Sequence, residues 1–357
     1  MKKLASLVLA GAMAFSLAAC GNNSTPAGGS SANAGTSTPA ASTPASGGIE
    51  PIELTIYSPG NENSVPTKTI IEYARLVNEA SDGAITLDVH HSNELGSDAE
   101  SIESTRMGTI DLIFAGTSGF TSFYEKAKVL DLPFLFDSVE EADAALDGAG
   151  GEALGEILEN EYNVHLLGIA ENGFRHITNS KHPIQSLADM NGLKIRVAGS
   201  QVLNRAYQLW GADYTNANWS EVFTALQTGT YDGQENPLPT ADAASIQEVQ
   251  NYLTYWTGAY DCLFFCMNAD LYNSLSPELQ AIVDEAGQEA CTYERELNRG
   301  QDQEIMDKWA DAGVEVSELS ADAAAEFAEA SAPVYDEFAD ELTPELIEAF
   351  TSVTQAE

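Results

Sequence analysis

Arginine is scarce in this chain, and two arginines lie in segments whose residue types suit the binding of an anion. The sequence has 15 lysines and arginines against 55 aspartates and glutamates. Arg175 follows Asn172-Gly173-Phe174, and Arg196 alternates with Ile195 and Val197, so its side chain faces the opposite side of a predicted strand. A guanidinium at a strand end offers a planar fork of donors that matches a carboxylate. Pairing with one of the many acidic residues is the alternative for either arginine.

A third segment supplies an aromatic ring and an amide group. It begins at Trp219, runs through a helical stretch to Gln227, and is followed by Asp232–Pro237, which contains Asn236. An aromatic ring provides an apolar wall, and an amide provides both a donor and an acceptor. Together with the arginines, these groups predict a pocket for a small polar anion. A core position for Trp219 and a turn-capping role for Asn236 are the alternatives.

The sequence motifs of common enzyme classes are missing. The chain contains no Gly-Xaa-Ser-Xaa-Gly elbow, no Walker motif and no dinucleotide fingerprint. His90 and His91 are neighbours on a predicted strand, so their side chains face opposite sides and cannot share one metal ion. We therefore predict no catalytic residue, no cofactor and no metal site. In an alternative interpretation, a secreted hydrolase, Glu235 would be the catalytic carboxylate.

The first 49 residues have the composition of a secretion signal and a tether. Lys2 and Lys3 precede an apolar stretch of signal-peptide length, which ends in Leu17-Ala18-Ala19-Cys20. That ending resembles the bacterial lipobox, which implies cleavage after residue 19 and attachment of lipid to Cys20, an anchor that holds a protein to a membrane. An ordinary secretory peptide is the alternative. Residues 20–49 are small and uncharged up to Gly48, which predicts a flexible linker.

The composition after the signal excludes nucleic acid as a partner. Without Lys2 and Lys3, 13 basic residues stand against 55 acidic residues, a net charge of −42 that repels nucleic acid and keeps a secreted protein soluble. Beyond the lipobox the chain has three cysteines, an odd number without the spacing of a disulfide framework or a zinc site. Cys262 and Cys266 lie in an apolar run and are expected to be buried.

Strand and helix patterns alternate along the remaining chain. Ile52–Tyr57 and Ile85–His90 alternate apolar and polar residues, which predicts strands. A helix is predicted near Glu140–Glu159, a strand at Leu193–Val197 and a helix at Gln201–Trp210. Such alternation indicates an α/β fold, in which ligands bind at the carboxyl ends of strands. Two α/β domains would form a cleft between them.

Six motifs carry a resemblance to a known family. They are Asn93–Gly96, Gly108–Asp111, Val129–Phe136, Asn172–Arg175, Gly192–Val197 and Asp232–Pro237. In this order and spacing they resemble the binding-protein subunits of tripartite ATP-independent periplasmic (TRAP) transporters of the dicarboxylate-binding (DctP) type. The resemblance extends from about Leu54 to about Asn298.

The resemblance implies a two-domain fold like that of periplasmic binding proteins, with a ligand cleft and a long helix that crosses both domains. That helix would start near Pro277 and run toward Asp311. The expected domains are residues 50–173 plus 262–301 and residues 174–261 plus 302–357, after the signal peptide (1–19) and the lipidated linker (20–49).

The resemblance also implies which residues bind the ligand. Arg196 matches the arginine that clamps the carboxylate, and Arg175 matches a second arginine of the pocket. The complete set of expected ligand-binding residues is Arg196, Arg175, Asn236, Trp219, Gly116 and Thr117.

The implied function is capture of an organic acid anion outside the cytoplasm and its delivery to the TRAP membrane subunits. The chain departs from the family pattern in the loop 60–64, at 214–218 and at Thr257-Gly258. Since Trp219 has polar neighbours, a hydroxylated sugar acid such as a uronate is favoured over a C4-dicarboxylate. Besides the hydrolase, the alternative is a binding protein for an ATP-driven importer or a sensor.

Overall fold

The computed structural model describes residues 51–352. The signal peptide, Cys20 and the linker lie outside the described residues. The strands are β1 (Ile52–Tyr57), β2 (Ile85–His90), β3 (Leu112–Gly116), β4 (Val164–Phe174), β5 (His176–Asn179), β6 (Lys194–Val197), β7 (Asp213–Asn216), β8 (Gly233–Asn236), β9 (Tyr252–Tyr255), β10 (Tyr260–Asn268) and β11 (Glu315–Glu318).

Fourteen α-helices and three short 3₁₀ helices connect these strands within residues 51–352. The α-helices are α1 (Val65–Ala80), α2 (Asp98–Arg106), α3 (Thr117–Phe120), α4 (Val139–Leu146), α5 (Ala149–Tyr162), α6 (Gln201–Leu209), α7 (Trp219–Gln227), α8 (Leu238–Ala243), α9 (Ala269–Ser274), α10 (Pro277–Asn298), α11 (Asp302–Asp311), α12 (Ala321–Ser331), α13 (Pro333–Leu342) and α14 (Pro344–Thr351). The 3₁₀ helices are Glu125–Asp131, Leu187–Met190 and Ile246–Glu248.

The first sheet has the strand order β2-β1-β3-β10-β4. β1 pairs in parallel with β2 and β3, while β10 lies antiparallel between β3 and β4. All nine residues of β10 are buried, because the strand is central and covered on both faces. One face packs against α1 and α10, which contact each other. The carboxyl ends of β1 and β3 therefore lie at the same edge of the sheet.

The second sheet has the order β11-β9-β5-β8-β6-β7. β6 is parallel to both β7 and β8, and Arg196 on β6 is opposite Gln234 on β8. This pairing brings the end of β6 close to the end of β8, where Asn236 is the last residue. The segment that contains Asn236 thus meets the segment that contains Arg196 at one sheet edge, as the α/β prediction requires.

The chain passes from one sheet to the other at two neighbouring points. β4 ends at Phe174 and β5 begins at His176, so Arg175 occupies the first crossing. The second crossing lies between Tyr255 and Tyr260. Both crossings are close to the predicted domain boundaries. The C-terminal helices contact elements of both predicted domains, since α13 packs on α6 and α14 packs on α4 and α5. The assignment of residues to two domains stays a prediction.

Two predicted helices are interrupted. The helix that begins at Pro277 ends at Asn298 instead of running toward Asp311, because Gly300 has a left-handed backbone (φ +79°), after which α11 starts. The helix predicted at 140–159 is two helices, α4 and α5, separated by Asp147-Gly148. An added Cβ at Gly148 would lie 2.5 Å from the carbonyl oxygen of Ala144, so this tight turn requires glycine.

The three cysteines of the described chain are buried and unpaired. Cys262 and Cys266 lie on β10, as small apolar residues of the sheet, which confirms their predicted burial. Cys291 lies on α10 and packs toward the same sheet. Within residues 51–352, none of the helices combines the length and the apolar character needed to cross a bilayer.

Candidate ligand-binding site

A cavity of about 360 Å³ lies where the carboxyl ends of strands from both sheets meet. Its wall includes the loop after β1, the end of β3, the crossing at Arg175, and residues of β6, α7, β8 and α10. This volume is at the lower end of the range, roughly 300–1,000 Å³, that proteins use for small organic ligands. Seven ionisable side chains line the cavity: Lys68, Asp98, Arg175, Arg196, Asp242, Asp261 and Glu294.

Arg196 lies in this wall with its side chain almost fully enclosed, at 5% exposure. Its Nε and Nη2 donate hydrogen bonds to the carbonyl oxygen of Ala217, at 3.1 and 2.8 Å. Within residues 51–352 it forms no ion pair with a carboxylate. Burial lowers its pKa to about 10, although the charge of Glu235 acts in the opposite direction. Arg196 is still protonated at neutral pH, so the wall contains a buried cation without an anionic partner.

Trp219 stands beside this cation. It is the first residue of α7, directly after the N-cap Asn218, and it is half-buried. The Cζ atom of Arg196 lies 5.7 Å from the centre of the Trp219 ring, within the range of a cation–π contact. The ring also packs against the core of the second sheet. Trp219 thus has both a core contact and a face toward the cavity.

Arg175 has a different environment, although it also lines the cavity. Its Nε donates to the carboxylate of Glu235, and its Nη1 lies 2.6 Å from Oδ2 of Asp261. Its Nη2 donates to the Glu235 carbonyl at 3.0 Å and to Oδ1 of Asn236 at 3.1 Å. Burial opposes the charge, but the two carboxylates outweigh it and raise the pKa of Arg175. Arg175 therefore pairs with acidic residues of the protein, as the alternative prediction for this arginine states. Its contact with a ligand stays a prediction.

Asn236 and Glu235 are held by the same network. The Nδ2 of Asn236 donates to Oε1 of Gln234 at 2.8 Å, while its Oδ1 accepts from Arg175. Asn236 lines the cavity but already uses both ends of its amide. Glu235 is 1% exposed, and its Oε1 also accepts from the backbone N–H of Ala198 at 2.9 Å.

Gly116 and Thr117 follow β3 and differ in their positions. Gly116 lines the cavity, and an added Cβ there would meet only the Ser118 hydroxyl, at 3.8 Å, so the missing side chain leaves room for a ligand. Thr117 is buried, and its hydroxyl donates to Oδ1 of Asp261 at 3.4 Å. Ser118, rather than Thr117, lines the cavity.

The sequence interpretation named none of the four acidic residues of the wall, Asp98, Asp242, Asp261 and Glu294. Asp98 is the first residue of α2, and a capping box formed by Ser97 and Glu100 marks the start of this helix. Burial raises its pKa, although the Arg196 cation opposes this shift. Glu294 on α10 is 1% exposed, accepts a hydrogen bond from the Glu171 N–H at 3.0 Å, and has a pKa raised well above its usual value by burial. Among 55 acidic residues only the capping box gave a local signal, and it indicated a helix start rather than a site.

The fold and the sequence both match known proteins. Residues 59–342 match the family of bacterial extracellular solute-binding proteins, family 7 (DctP). The chain is 36% identical over 241 residues to the 2,3-diketo-L-gulonate-binding periplasmic protein YiaO of Escherichia coli K12, covering 68% of this chain and 73% of that protein.

Two solved structures are similar over most of the chain. The sugar acid binding protein DctPAm of Advenella mimigardefordensis, in complex with galactonate, is 30% identical with a TM-score of 0.81, covering 86% of this chain and 99% of that one. A TRAP periplasmic solute-binding protein of Sulfitobacter sp. NAS-14.1, with bound β-D-galacturonate, is 29% identical with a TM-score of 0.80, covering 84% and 100%. These matches confirm the predicted α/β binding-protein fold. The chain belongs to the DctP family of TRAP solute-binding proteins, the bacterial extracellular solute-binding proteins of family 7.

Proposed function

We propose that this protein captures a hydroxylated organic acid anion, a sugar acid, outside the cytoplasm and delivers it to the membrane subunits of a TRAP transporter. The observation that carries the proposal is Arg196, a buried cation in the cavity wall without a carboxylate partner in residues 51–352. The protein holds this charge at the cost of removing it from water, and a ligand carboxylate would supply the missing counter-charge.

The rest of the wall suits the hydroxyl groups of such a ligand. Asn61, Asn93 and Ser118 line the cavity and offer neutral donors and acceptors. Asp98 can accept a hydrogen bond when ionised and donate one when protonated. Trp219 adds a ring against which the carbon chain of a sugar acid can pack. The relatives that bind galactonate and galacturonate support the same class of ligand.

The mechanism we propose is binding without chemical change. The ligand would bridge residues of the two sheets and shift the population toward a closed form that the membrane subunits recognise. A hydrolase is less well supported, because Glu235, its candidate carboxylate, is bound by Arg175 and by the backbone of Ala198. Membership of the TRAP family favours TRAP membrane subunits over an ATP-driven importer or a sensor.

We also propose that lipid on Cys20 anchors the protein at the outer face of the cell membrane, since Cys20 closes a lipobox and opens a linker. The variant Cys20→Ser should appear in the soluble extracytoplasmic fraction, whereas the natural chain should fractionate with membranes. A Cys20→Ser protein that is cleaved normally and still fractionates with membranes would refute the anchor.

A thermal-shift screen of organic acids tests the proposed ligand class. A ligand at one hundred times its dissociation constant stabilises a protein by about 2.7 kcal/mol, which is easily detected as a rise in melting temperature. We expect aldonates, uronates or related hydroxy acids to raise the melting temperature, and amino acids and neutral sugars not to. Stabilisation by a neutral sugar but by none of its acids would overturn the proposal.

A further inference from the structure

The Arg196 guanidinium has five N–H groups, and contacts within residues 51–352 use two of them. Nε and Nη2 each donate to the carbonyl oxygen of Ala217, at 3.1 and 2.8 Å. These two nitrogens form one edge of the planar fork, so Nη1 and the second N–H of Nη2 are left for a ligand. Because the group is planar, fixing one edge also fixes the direction of the other. The position of the Ala217 carbonyl therefore determines where Arg196 presents its remaining donors.

Ala217 lies in a short connection at the border of the second sheet. It follows β7, which stands at the edge of the sheet next to β6, and all four residues of β7 are exposed. The pairing of these two strands ends at Val197 and Asn216, one residue before Ala217. Two residues after Ala217, α7 begins at Trp219, whose ring lies beside the Arg196 cation. The connection from β7 to α7 thus supplies an acceptor and a ring to the same guanidinium.

The side chain of Asn216 ties this connection to the end of β6. Its Nδ2 donates to the carbonyl oxygens of Val197 and Ala198, at 3.1 and 2.8 Å. Carbonyl oxygens can only accept, so the donor end of the amide must face them. The amide therefore links the residue before the acceptor, Ala217, to the two residues after the donor, Arg196.

A second asparagine fixes the orientation of this amide. Asn204 on α6 accepts a hydrogen bond from Nδ2 of Asn216 and donates one to its Oδ1, both at 2.9 Å. Such a reciprocal pair uses both ends of each amide. Asn216 itself is exposed, so its hydrogen bonds compete with water and contribute little to the stability of the fold. These contacts suit a residue that positions a neighbour rather than one that supports the core.

We infer that Asn216 is a positioning residue for ligand binding, which holds the Ala217 carbonyl so that the free edge of the Arg196 fork faces the ligand carboxylate. This inference rests on the proposed function and gives a role to the segment 214–218, where the chain departs from the family pattern. Without the Asn216 amide, the carbonyl would move with the edge strand, and the fork would point in other directions part of the time. The apparent dissociation constant rises as the fraction of molecules competent to bind falls.

NMR of the arginine side chains tests the positioning without any ligand. With isotope-labelled arginine, the Nε–H signal of Arg196 is identified by its loss in Arg196→Lys, and its relaxation reports how rigid the guanidinium is. We expect a rigid Nε–H in the natural protein and a more mobile one in Asn216→Ala. Unchanged relaxation of the Arg196 signal in Asn216→Ala would overturn the inference.

Calorimetry with the acid that the thermal-shift screen identifies measures the effect on binding. Asn216→Ala should weaken that acid about three- to tenfold, which is about 0.6–1.4 kcal/mol and the size of one net hydrogen-bond contribution. In the background of Arg196→Lys, which has no planar fork to position, Asn216→Ala should weaken binding less than twofold. Equal losses in the natural and the Arg196→Lys backgrounds would show that Asn216 does not act through Arg196, and would overturn the inference.

Two neighbouring asparagines provide matched controls. Asn218 stands on the other side of Ala217, lies outside the cavity wall, and forms no side-chain hydrogen bond within residues 51–352, so Asn218→Ala should bind within twofold of the natural protein. Asn204→Ala keeps the donors of Asn216 and should therefore lose less affinity than Asn216→Ala. A loss in Asn218→Ala equal to that in Asn216→Ala, or a larger loss in Asn204→Ala, would also overturn the inference.

The failure of this inference differs from the failure of the proposed function. If the acid binds and depends on Arg196 while Asn216→Ala binds within twofold of the natural protein, only this inference fails. If none of the organic acids in the screen binds to the natural protein, the proposed function fails, and the inference fails with it.

Discussion

Replacing Arg196 should weaken ligand binding strongly without unfolding the protein. With the side chain 5% exposed, a ligand carboxylate in the cavity would be almost fully enclosed with it. Removing one partner of a buried, hydrogen-bonded charge pair costs about 2–5 kcal/mol, which is about 30-fold to several-thousand-fold in affinity. Arg196→Met should therefore lose binding by at least about 30-fold. Arg196→Lys should also bind weakly, because an ammonium keeps the charge but loses the planar fork.

The ligand-free stability of these variants gives the sharper test. The lowering of the Arg196 pKa to about 10 corresponds to a cost of roughly 3 kcal/mol for keeping its charge buried. Against this, Arg196→Met loses the hydrogen bonding of a charged donor to the single, partly exposed Ala217 carbonyl, worth about 1.5–3 kcal/mol. The ligand-free Arg196→Met protein should therefore melt at the same temperature as the natural protein or higher.

Isothermal calorimetry with the acid found by the screen, and urea denaturation without ligand, measure the two effects separately. Lys194→Gln serves as the control for a change of one positive charge outside the cavity. Binding by Arg196→Met within threefold of the natural protein would refute the clamp. A loss of more than about 2 kcal/mol in its ligand-free unfolding free energy would show that Arg196 supports the fold instead.

Three further predictions concern other residues. Ligand binding should change the tryptophan fluorescence, and Trp219→Phe should remove most of that change, because the three other tryptophans are almost fully buried. A fluorescence change of undiminished size in Trp219→Phe would place the responsive ring elsewhere. Arg175→Met should lower the unfolding free energy by about 3–5 kcal/mol in urea denaturation, since it leaves two buried carboxylates without their cation, and a loss below 1 kcal/mol would contradict this. His165 lies between Glu159 and Asp284; burial lowers its pKa, but the hydrogen bonds to these two carboxylates outweigh burial and raise it. His165→Gln should therefore lower the unfolding free energy by about 1 kcal/mol, in full below pH 6.5 and by less as the pH rises through the raised pKa. A loss that does not change between pH 5.5 and pH 9 would exclude this pair of contacts.

The elements that the sequence predicts well are those whose residue pattern alone decides their structure. β1 and β2 are observed with the predicted bounds, because polar and apolar residues alternate along them. β10 shows no alternation, since it is buried on both faces. Its antiparallel position between β3 and β4 depends on contacts with residues that lie 86 to 155 positions earlier in the chain. The break at Gly300 was missed because one glycine inside a helical pattern is compatible with either outcome.

The site residues also separate into those whose positions a local sequence pattern predicts and those whose contacts depend on distant parts of the chain. The cavity contains Arg196, Trp219 and Gly116, and their positions follow from strand ends and a helix start. The contacts of Arg175 could not be derived, because its partners Glu235 and Asp261 lie 60 and 86 residues away along the chain. In a chain with 55 acidic residues, the sequence does not indicate which of them will meet a given arginine.

Because Cys262, Cys266 and Cys291 are buried, cysteines introduced at the surface of the folded protein can be labelled selectively. Maleimides react with thiolates, and burial raises the pKa of all three thiols, that of Cys291 to about 12, so few thiolates exist at neutral pH. With Cys20 replaced, cysteines introduced at exposed positions such as Glu53 on β1 and Asp213 on β7 would be the reactive ones. A fluorophore pair at those two positions, one on each sheet, would report in real time whether the sheets approach each other when the ligand binds.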